Sequence, residues 1–474
     1  MNKKTKPLIL LYRNWANEDA IEIKAIAGSG SYRKYFRIKG VDNTVIGVFN
    51  QDKKENKAFI SFTKHFLKKD LNVPIFYTQD IKKNIYLLQD LGDETLFSFA
   101  QRNRRSKVKE LYKSALEHLL KFQIDGGKGL DYSLCYPRNK FDEQSILWDL
   151  NYFKYYFLKL AKIPFDEEKL EQDFKLFARL LLKADLKYFL YRDFQARNIL
   201  LHDDDLYFID YQGGRKGALQ YDVASLLFQA QINFSAAERE ELLDHYLDRL
   251  TIKINIRRKD FLKHYNNYAL IRLLQTLGAY GFRGFFESKT YFLKSIPFAL
   301  NNLNWLLKNN LGPVKLKELN RVLNTIVQDE KLLKFKTSIS KKLKVTINSF
   351  SYKTGIPMDY AGNGGGFVFD CRVLNNPGRY SEYINLNGSD EPVRNFLETK
   401  SNVNEFLSSV YALVDDAVKN YLERNFKNLL INFGCTGGQH RSVYCAEKLA
   451  DHLKQNSNLM LELNHTQLDK KDYH

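Results

Sequence analysis

The chain has only four cysteines in 474 residues, Cys135, Cys371, Cys435 and Cys445, with no CxxC pair and no histidine spacing that suits zinc. That excludes a disulfide-stapled secreted scaffold and fits a reducing cytoplasm. Long apolar runs are missing too. The most apolar stretch, Tyr268 to Phe286, is interrupted by Arg272 and Arg283, well short of the roughly 20 apolar residues that span a bilayer. The N-terminus carries basic residues but too short an apolar run for a signal sequence. A cytoplasmic protein with no membrane partner is therefore expected. No GxxxxGK[ST] occurs, which excludes a P-loop nucleotide site, and no internal repeat is found.

What is present points to a soluble chain of two or three domains, with 44% hydrophobic and 27% charged residues. The net charge is +18, but from Leu343 onward there are 14 Lys/Arg against 15 Asp/Glu. The basic excess thus lies wholly upstream, part of it in the run Lys331 to Lys344. That run reads as a solvated linker or as an anion-attracting stripe.

The segment Tyr191-Arg192-Asp193-Phe194-Gln195-Ala196-Arg197-Asn198, followed by Ile209-Asp210, carries the most chemistry. An Asp, an Asn five positions later and an apolar strand ending in a second Asp form the minimal set for kinase-type phosphoryl transfer. Asp193 is the candidate general base; Asn198 and Asp210 are candidate magnesium ligands. Asp222, opening the next helix, is expected to accept backbone N–H bonds from the catalytic loop. Upstream, residues 21–50 alternate as strands around Gly28-Ser29-Gly30-Ser31, and a helix from about Lys54 to Lys68 and a strand from Asn84 to Gly92 follow. Helical periodicity dominates 107–185 and 221–310. Aromatic residues at 148–157 (Trp148, Tyr152, Phe153, Tyr155, Tyr156, Phe157) are either helix core or a stacking face for a sugar.

These segments (GSGSYRKYFRI, LLQDLGDETL, YRDFQARN, FIDYQGG and YDVASLL) resemble the aminoglycoside phosphotransferase/choline kinase family, closest to anomeric N-acetylmuramate and N-acetylglucosamine kinases. The resemblance implies a bilobal protein-kinase-like fold over 1–312, with ATP and Mg2+ as cofactors and an amino sugar as substrate. It implies that Gly28, Ser29, Gly30 and Ser31 cover the phosphates and that backbone near Gln89 and Leu91 meets the adenine. One departure stands out. Val45-Ile46-Gly47-Val48-Phe49 offers no lysine for the phosphates, so Arg37 on the preceding strand is the expected substitute, with Glu55 as the acidic partner.

The second signature is Cys435-Thr436-Gly437-Gly438-Gln439-His440-Arg441-Ser442, between a strand and a helix. Backbone N–H groups, a helix N-terminus and a fixed arginine there suit a phosphate cradle. Cys-x5-Arg-Ser is also the pattern of cysteine phosphatases. The stretches SFSYKTGIP, FVFDCRVLNNPGRY, LNGSDEPVRNFL and GCTGGQHRSVYCAEKLADHL resemble the C-terminal domain of the RNase adapter protein RapZ. That resemblance implies a phosphosugar-binding domain over 343–474, with glucosamine-6-phosphate as effector. Thr436, Gly437, Gly438, His440 and Arg441 are its implied ligands, and Arg372 and Asn376 its contributors. It also implies homo-oligomers; balanced charge in this region weighs against RNA as a partner. Gly378 stands where enterobacterial members have a histidine. The fold expected is α/β and α+β: a kinase-like domain at 1–312, a basic helical linker at 313–342 and a separate α/β domain at 343–474. The alternative is an RNA adapter whose kinase-like domain is not catalytic.

Overall fold

The computed structural model describes residues 5–26, 33–287, 289–309, 316–335, 342–359 and 365–468. The chain divides into two compact units, Met1–Ala279 with Phe298–Asp329, and Tyr280–Pro297 with Glu330–His474.

In the first unit, α1 (Thr5–Ala16) precedes five antiparallel strands, β1 (Glu22–Ile26), β2 (Lys34–Lys39), β3 (Thr44–Phe49), β4 (Phe76–Asp80) and β5 (Ile85–Gln89). Their order in the sheet is β1-β2-β3-β5-β4. Strand alternation sends Ile38, Val45, Ile85 and Leu87 to one face, where α1 buries Leu8 and Tyr12 against them. Tyr86 points the other way and meets Phe59 of α2 (Lys53–Leu67) at a ring separation of 5.5 Å. Asp52 caps α2, its carboxylate accepting the N–H groups of Lys54 and Glu55. That cap fixes where Glu55 enters the helix.

The rest of this unit is mainly helical: α3 (Leu96–Arg102), α4 (Arg105–Lys121), α5 (Glu143–Phe153) and α6 (Glu167–Leu181) precede four short strands. These are β6 (Tyr188–Leu190), β7 (Ile199–His202), β8 (Asp205–Phe208) and β9 (Arg215–Gly217), pairing antiparallel as β6-β9 and β7-β8. Then come α7 (Leu219–Leu227), α8 (Ala236–Lys253), α9 (Arg258–Tyr280) and α10 (Thr290–Lys308). The unit boundary inside α10 falls at Pro297, where the ring removes a backbone donor from the helix ladder.

Part of the stretch expected as a linker is docked instead. Helix α11 (Lys317–Gln328) buries Leu319, Val322, Leu323 and Ile326 within the first unit. Its start is pinned by Asp173 of α6, whose Oδ2 accepts the Leu319 N–H at 2.9 Å, while Glu318 accepts the Asp166 N–H at 2.8 Å. The apolar stripe of α11 is the face it buries. The short α12 (Glu330–Leu333) follows in the second unit, and residues 336–341 of the lysine run lie outside the described residues.

The second unit holds an all-parallel sheet of β10 (Leu343–Ser351), β11 (Phe367–Asp370), β12 (Asn428–Cys435) and β13 (Leu459–His465), ordered β11-β12-β10-β13. Helices α13 (Glu391–Lys400) and α14 (Val403–Glu423) lie between β11 and β12, and α15 (Arg441–Leu453) joins β12 to β13. Val345, Ile347, Ile431 and Phe433 share a core with Val410 and Val414 of α14 and Leu449 of α15. On the opposite face, Asn348 donates to Asn432 Oδ1 at 2.9 Å and accepts from Asn464 Nδ2 at 3.1 Å, an amide ladder across three strands. Among the described residues no helix is long and apolar enough to cross a membrane.

Candidate functional site

Strand β6 leads into the loop 191–198, and the β7-β8 hairpin brings the chain back to Asp210. The loop is clamped from outside. Asp222, in the first turn of α7, accepts the N–H of Tyr191 at 2.7 Å on Oδ2 and that of Arg192 at 2.9 Å on Oδ1. This is the loop-holding role expected of it. The Tyr191 hydroxyl donates to the Ile209 carbonyl at 2.8 Å, joining the two segments that carry Asp193 and Asp210. Arg192 forks onto Asp149 of α5 at 2.7 and 2.5 Å and donates to the Tyr221 hydroxyl at 2.6 Å. Arg192 (φ 82°) and Asp210 (φ 69°) both occupy the left-handed region. For non-glycine residues this costs on the order of 1–3 kcal/mol and persists only where surrounding bonds impose it.

Asp193, Asn198 and Asp210 converge. Asn198 Nδ2 donates to the Asp193 carbonyl at 2.9 Å and lies 3.3 Å from Asp210 Oδ2. Because both partners are acceptors, the amide is oriented and its Oδ1 turns to the other side. Gln212 Nε2 donates to the second Asp210 oxygen at 2.6 Å. Burial, then the nearby Asp193 carboxylate, pushes the Asp210 carboxyl above its ordinary range, while Gln212 and the Arg33 charge oppose the rise. A half-buried carboxylate beside a second carboxylate is a hard oxygen set that a magnesium ion would neutralise. Asp210 would hold the ion, and Asn198 would join it with its amide turned to present Oδ1. Among the described residues no group of three or more His, Cys, Asp or Glu side chains is placed to hold a metal by itself.

On the nucleotide side, Gly28, Ser29, Gly30 and Ser31 lie outside the described residues. Gln89 ends β5 with its N–H on the Ile75 carbonyl at 2.9 Å, and the Leu91 side chain is buried. Arg37, the expected substitute for the strand lysine, is engaged by two carboxylates. Its Nε and Nη2 bind Asp90 at 2.5 and 2.9 Å, and its Nη1 and Nη2 bind Asp93 at 2.8 and 2.9 Å. With two carboxylates closing the guanidinium, Arg37 is engaged at the end of β5 rather than at Glu55. The cation facing Glu55 is Arg33, with Nη2 at 3.2 Å from Oε1. Arg33, Gln212 and Asp149 are the residues that the sequence reading passed over. The two-residue strand period puts Arg33 and Arg37 on one face. Only the packing of α2 decides between them.

Of the aromatic residues at 148–157, Phe153 and Phe157 are core and stack on each other at 5.7 Å, whereas Trp148, Tyr155 and Tyr156 are exposed. Arg138 lies over the Trp148 ring at 5.6 Å.

In the second unit, β12 runs into the turn 436–440 ahead of α15. Thr436 and Gly437 are exposed, and the Thr436 carbonyl accepts the Ser351 hydroxyl at 2.6 Å. Gly438 adopts φ +70°, and a Cβ there would come within 2.8 Å of the Ser351 nitrogen. Only glycine satisfies both conditions. His440 bonds the Tyr383 carbonyl through Nε2 at 2.9 Å. A Cβ on Gly378 would sit 3.2 Å from that ring, so a glycine there lets His440 approach. Arg441 is buried and donates to the carbonyls of Leu374 at 3.0 Å and Arg372 at 3.4 Å. Both bonds leave from Nη1, which braces the neighbouring loop, while Nε is buried without a hydrogen-bond partner among the described residues. Arg372 forks onto Asp370 and stacks over Tyr352 at 4.0 Å, and Asn376 Oδ1 accepts the Gly378 N–H at 3.3 Å. The Cys435 thiol faces the core, accepting the Gly438 N–H at 3.2 Å, with the Ser442 hydroxyl also at 3.2 Å.

Comparison with known proteins agrees with this division. The profile of the phosphotransferase enzyme family matches residues 22–259, half of the chain. The chain therefore belongs to that family and carries a kinase-like phosphotransferase domain. A second profile, the RapZ C-terminal domain, matches residues 343–469, so the chain joins a phosphotransferase domain to a RapZ-type C-terminal domain.

A nucleotide-binding protein of Thermosipho africanus is 39% identical over 133 residues, 28% of this chain and 46% of that protein. One of Clostridium acetobutylicum is 32% identical over 154 residues, covering 32% and 48% respectively. The chain thus spans about half the length of these curated relatives. Among solved structures, a choline kinase from Streptococcus pneumoniae aligns with a TM-score of 0.44 at 15% identity, over 64% of this chain and 100% of that one. An aminoglycoside phosphotransferase in ternary complex with ADP and hygromycin B gives 0.43 at 11% identity, over 64% and 98%. Likeness of this degree carries no functional information.

Proposed function

We propose that the first unit is an ATP- and magnesium-dependent kinase of a small amino sugar, N-acetylmuramate or N-acetylglucosamine, phosphorylating the anomeric hydroxyl. The observation that carries this reading is the convergence of Asp193, Asn198 and Asp210 on a loop clamped by Asp222, inside a phosphotransferase-family domain. Asp193 would accept the proton of the attacking hydroxyl, and Asn198 and Asp210 would hold magnesium, which neutralises the phosphate charge during transfer. The backbone near Gln89 and Leu91 would meet the adenine. The acceptor's identity rests on the family resemblance of the motifs, with exposed Trp148 beside Arg138 as a stacking surface near Asp149. The C-terminal domain would bind a phosphosugar such as glucosamine-6-phosphate at the Thr436–Arg441 turn, tuning the kinase.

The test is a screen of amino sugars for ATP consumption, followed by identification of the phosphorylated carbon. Asp193→Ala and Asp210→Ala should each abolish turnover; full activity in either sinks the assignment. Salt-dependent RNA binding with no ATP turnover on any sugar would favour the adapter reading instead. For the second domain, kinetics are measured with and without glucosamine-6-phosphate. Unchanged parameters despite measured binding would remove the coupling.

A further inference from the structure

A polyphosphate bound at Asp210 would bring several negative charges close to the carboxylates of Asp193, Asp210 and Glu55. Strand β3 supplies no cation to meet them. Arg37 is closed off by Asp90 and Asp93. Arg33, immediately before β2, is only 3% exposed. Its guanidinium lies over the Phe59 ring at 5.2 Å, bonds the Tyr35 hydroxyl and pairs with Glu55 at 3.2 Å. Glu55 is itself positioned: Asn50 Nδ2 donates to its Oε2 at 2.7 Å, and Gln212 Nε2 lies 3.5 Å from its Oε1. The same Gln212 amide bonds Asp210 at 2.6 Å. A continuous polar path therefore runs Arg33–Glu55–Gln212–Asp210–Asn198, from the helix of the small sheet to the catalytic loop.

Burying a guanidinium is costly, and Glu55 is the carboxylate set against that cost. Through Glu55 and Gln212 the guanidinium is tied to Asp210, where the phosphates are expected. Arginine also differs from lysine in presenting a planar fork that binds phosphate oxygens in pairs.

We propose that Arg33 takes the place of the absent strand lysine as the cation that holds the nucleotide's phosphates. Glu55 orients the guanidinium, and Gln212 ties that pair to Asp210. The inference rests on the ATP-dependent reading above and adds to it a specific phosphate ligand and two positioning residues.

The experiment measures binding of ATP, ADP and adenosine to the full chain by calorimetry in the presence of magnesium. In Arg33→Gln, affinity for ATP and ADP should fall tenfold or more while adenosine binding stays within twofold. Arg33→Lys should lose most of the same affinity, because an ammonium does not reproduce the fork. If Arg33→Gln does not fold, as read by tryptophan fluorescence, Arg33→Lys carries the test. Glu55→Gln should weaken ATP binding less than Arg33→Gln and leave adenosine unaffected, a nucleotide-specific split that a merely structural role would not give. Wild-type ATP affinity in both Arg33 variants overturns the proposal, as does loss of ATP affinity in Arg37→Gln but not in Arg33→Gln. If the unaltered protein binds no nucleotide at all, the kinase reading fails and takes this inference with it, an outcome distinct from the failure of Arg33 alone.

Discussion

Replacing Asp149 with alanine should destabilise the first unit by about 3–5 kcal/mol, the cost of leaving a buried charge without its partner. The Arg192 guanidinium is largely buried, with Asp149 accepting at 2.7 and 2.5 Å, the Tyr221 hydroxyl accepting at 2.6 Å and the Phe141 ring 5.4 Å away. Removing the carboxylate deletes two charge-assisted bonds, and Tyr221 supplies only one neutral acceptor in return. Asp149→Asn keeps one acceptor oxygen and should lose less, about 1–3 kcal/mol. The double variant Asp149→Leu/Arg192→Met removes both charges, so its loss should be smaller than that of Asp149→Ala alone. Denaturant unfolding followed by tryptophan fluorescence is suited to this. Trp15, Trp148 and Trp305 are the chain's three tryptophans, and all lie in the first unit. A loss below about 1 kcal/mol in Asp149→Ala would refute the reasoning, since it would mean the pair contributes no more than an exposed one.

Three further outcomes are expected. Burial pushes the Asp222 carboxyl up to about 7 against the pull of the Tyr191 and Arg192 N–H groups. The folded protein then holds that proton more tightly than the unfolded chain, whose carboxyl titrates near 3.9. The associated stability is fully present below about pH 4 and lost as pH rises through about 7. Midpoints at pH 5 and 7.5 should show the fall, and Asp222→Asn should flatten it; an equal slope in the variant would contradict the assignment. Leu323→Ala, on the buried face of α11, should cost about 2–5 kcal/mol in the same fluorescence assay, whereas a solvated linker would show almost none. Gly438→Ala forces a side chain into a left-handed position against the Ser351 backbone. A loss of about 2 kcal/mol or more in hydrogen exchange of β12, with loss of glucosamine-6-phosphate binding, is the expected result; unchanged exchange would count against it.

Much of this was legible in the sequence because the relevant signals are local. The Asp193/Asn198/Asp210 spacing, the strand–turn–helix around Gly438 and the β1–β3 alternation each depend on residues within a short window. What escaped depends on packing between distant elements. Arg33 and Arg37 share a strand face, and which one reaches Glu55 is decided by how α2 crosses the sheet. Gln212 reads as a turn residue until its amide is found between Asp210 and Glu55. The amphipathic stripe of α11 was visible, but its docking on α6 depends on Asp166 and Asp173, roughly 150 residues earlier. Arg441 was expected as an anion fork; that its Nη1 also braces a loop about 70 positions upstream depends on packing no local window shows.

The asparagine ladder has a bearing on how the second domain reaches its fold. Asn348 pairs with Asn432 and Asn464, residues 84 and 116 positions away. Parallel strands separated this far form slowly, because chain closure precedes any reward from contact. A one-residue slip of any of these strands would turn its amide toward the apolar core and leave its neighbours' amides unpaired. The ladder therefore works as a completion check. It closes only when β13 arrives in the right frame, and a chain halted before Asn464 would leave Asn348 with one amide bond fewer and the sheet edge on β10 open to other strands.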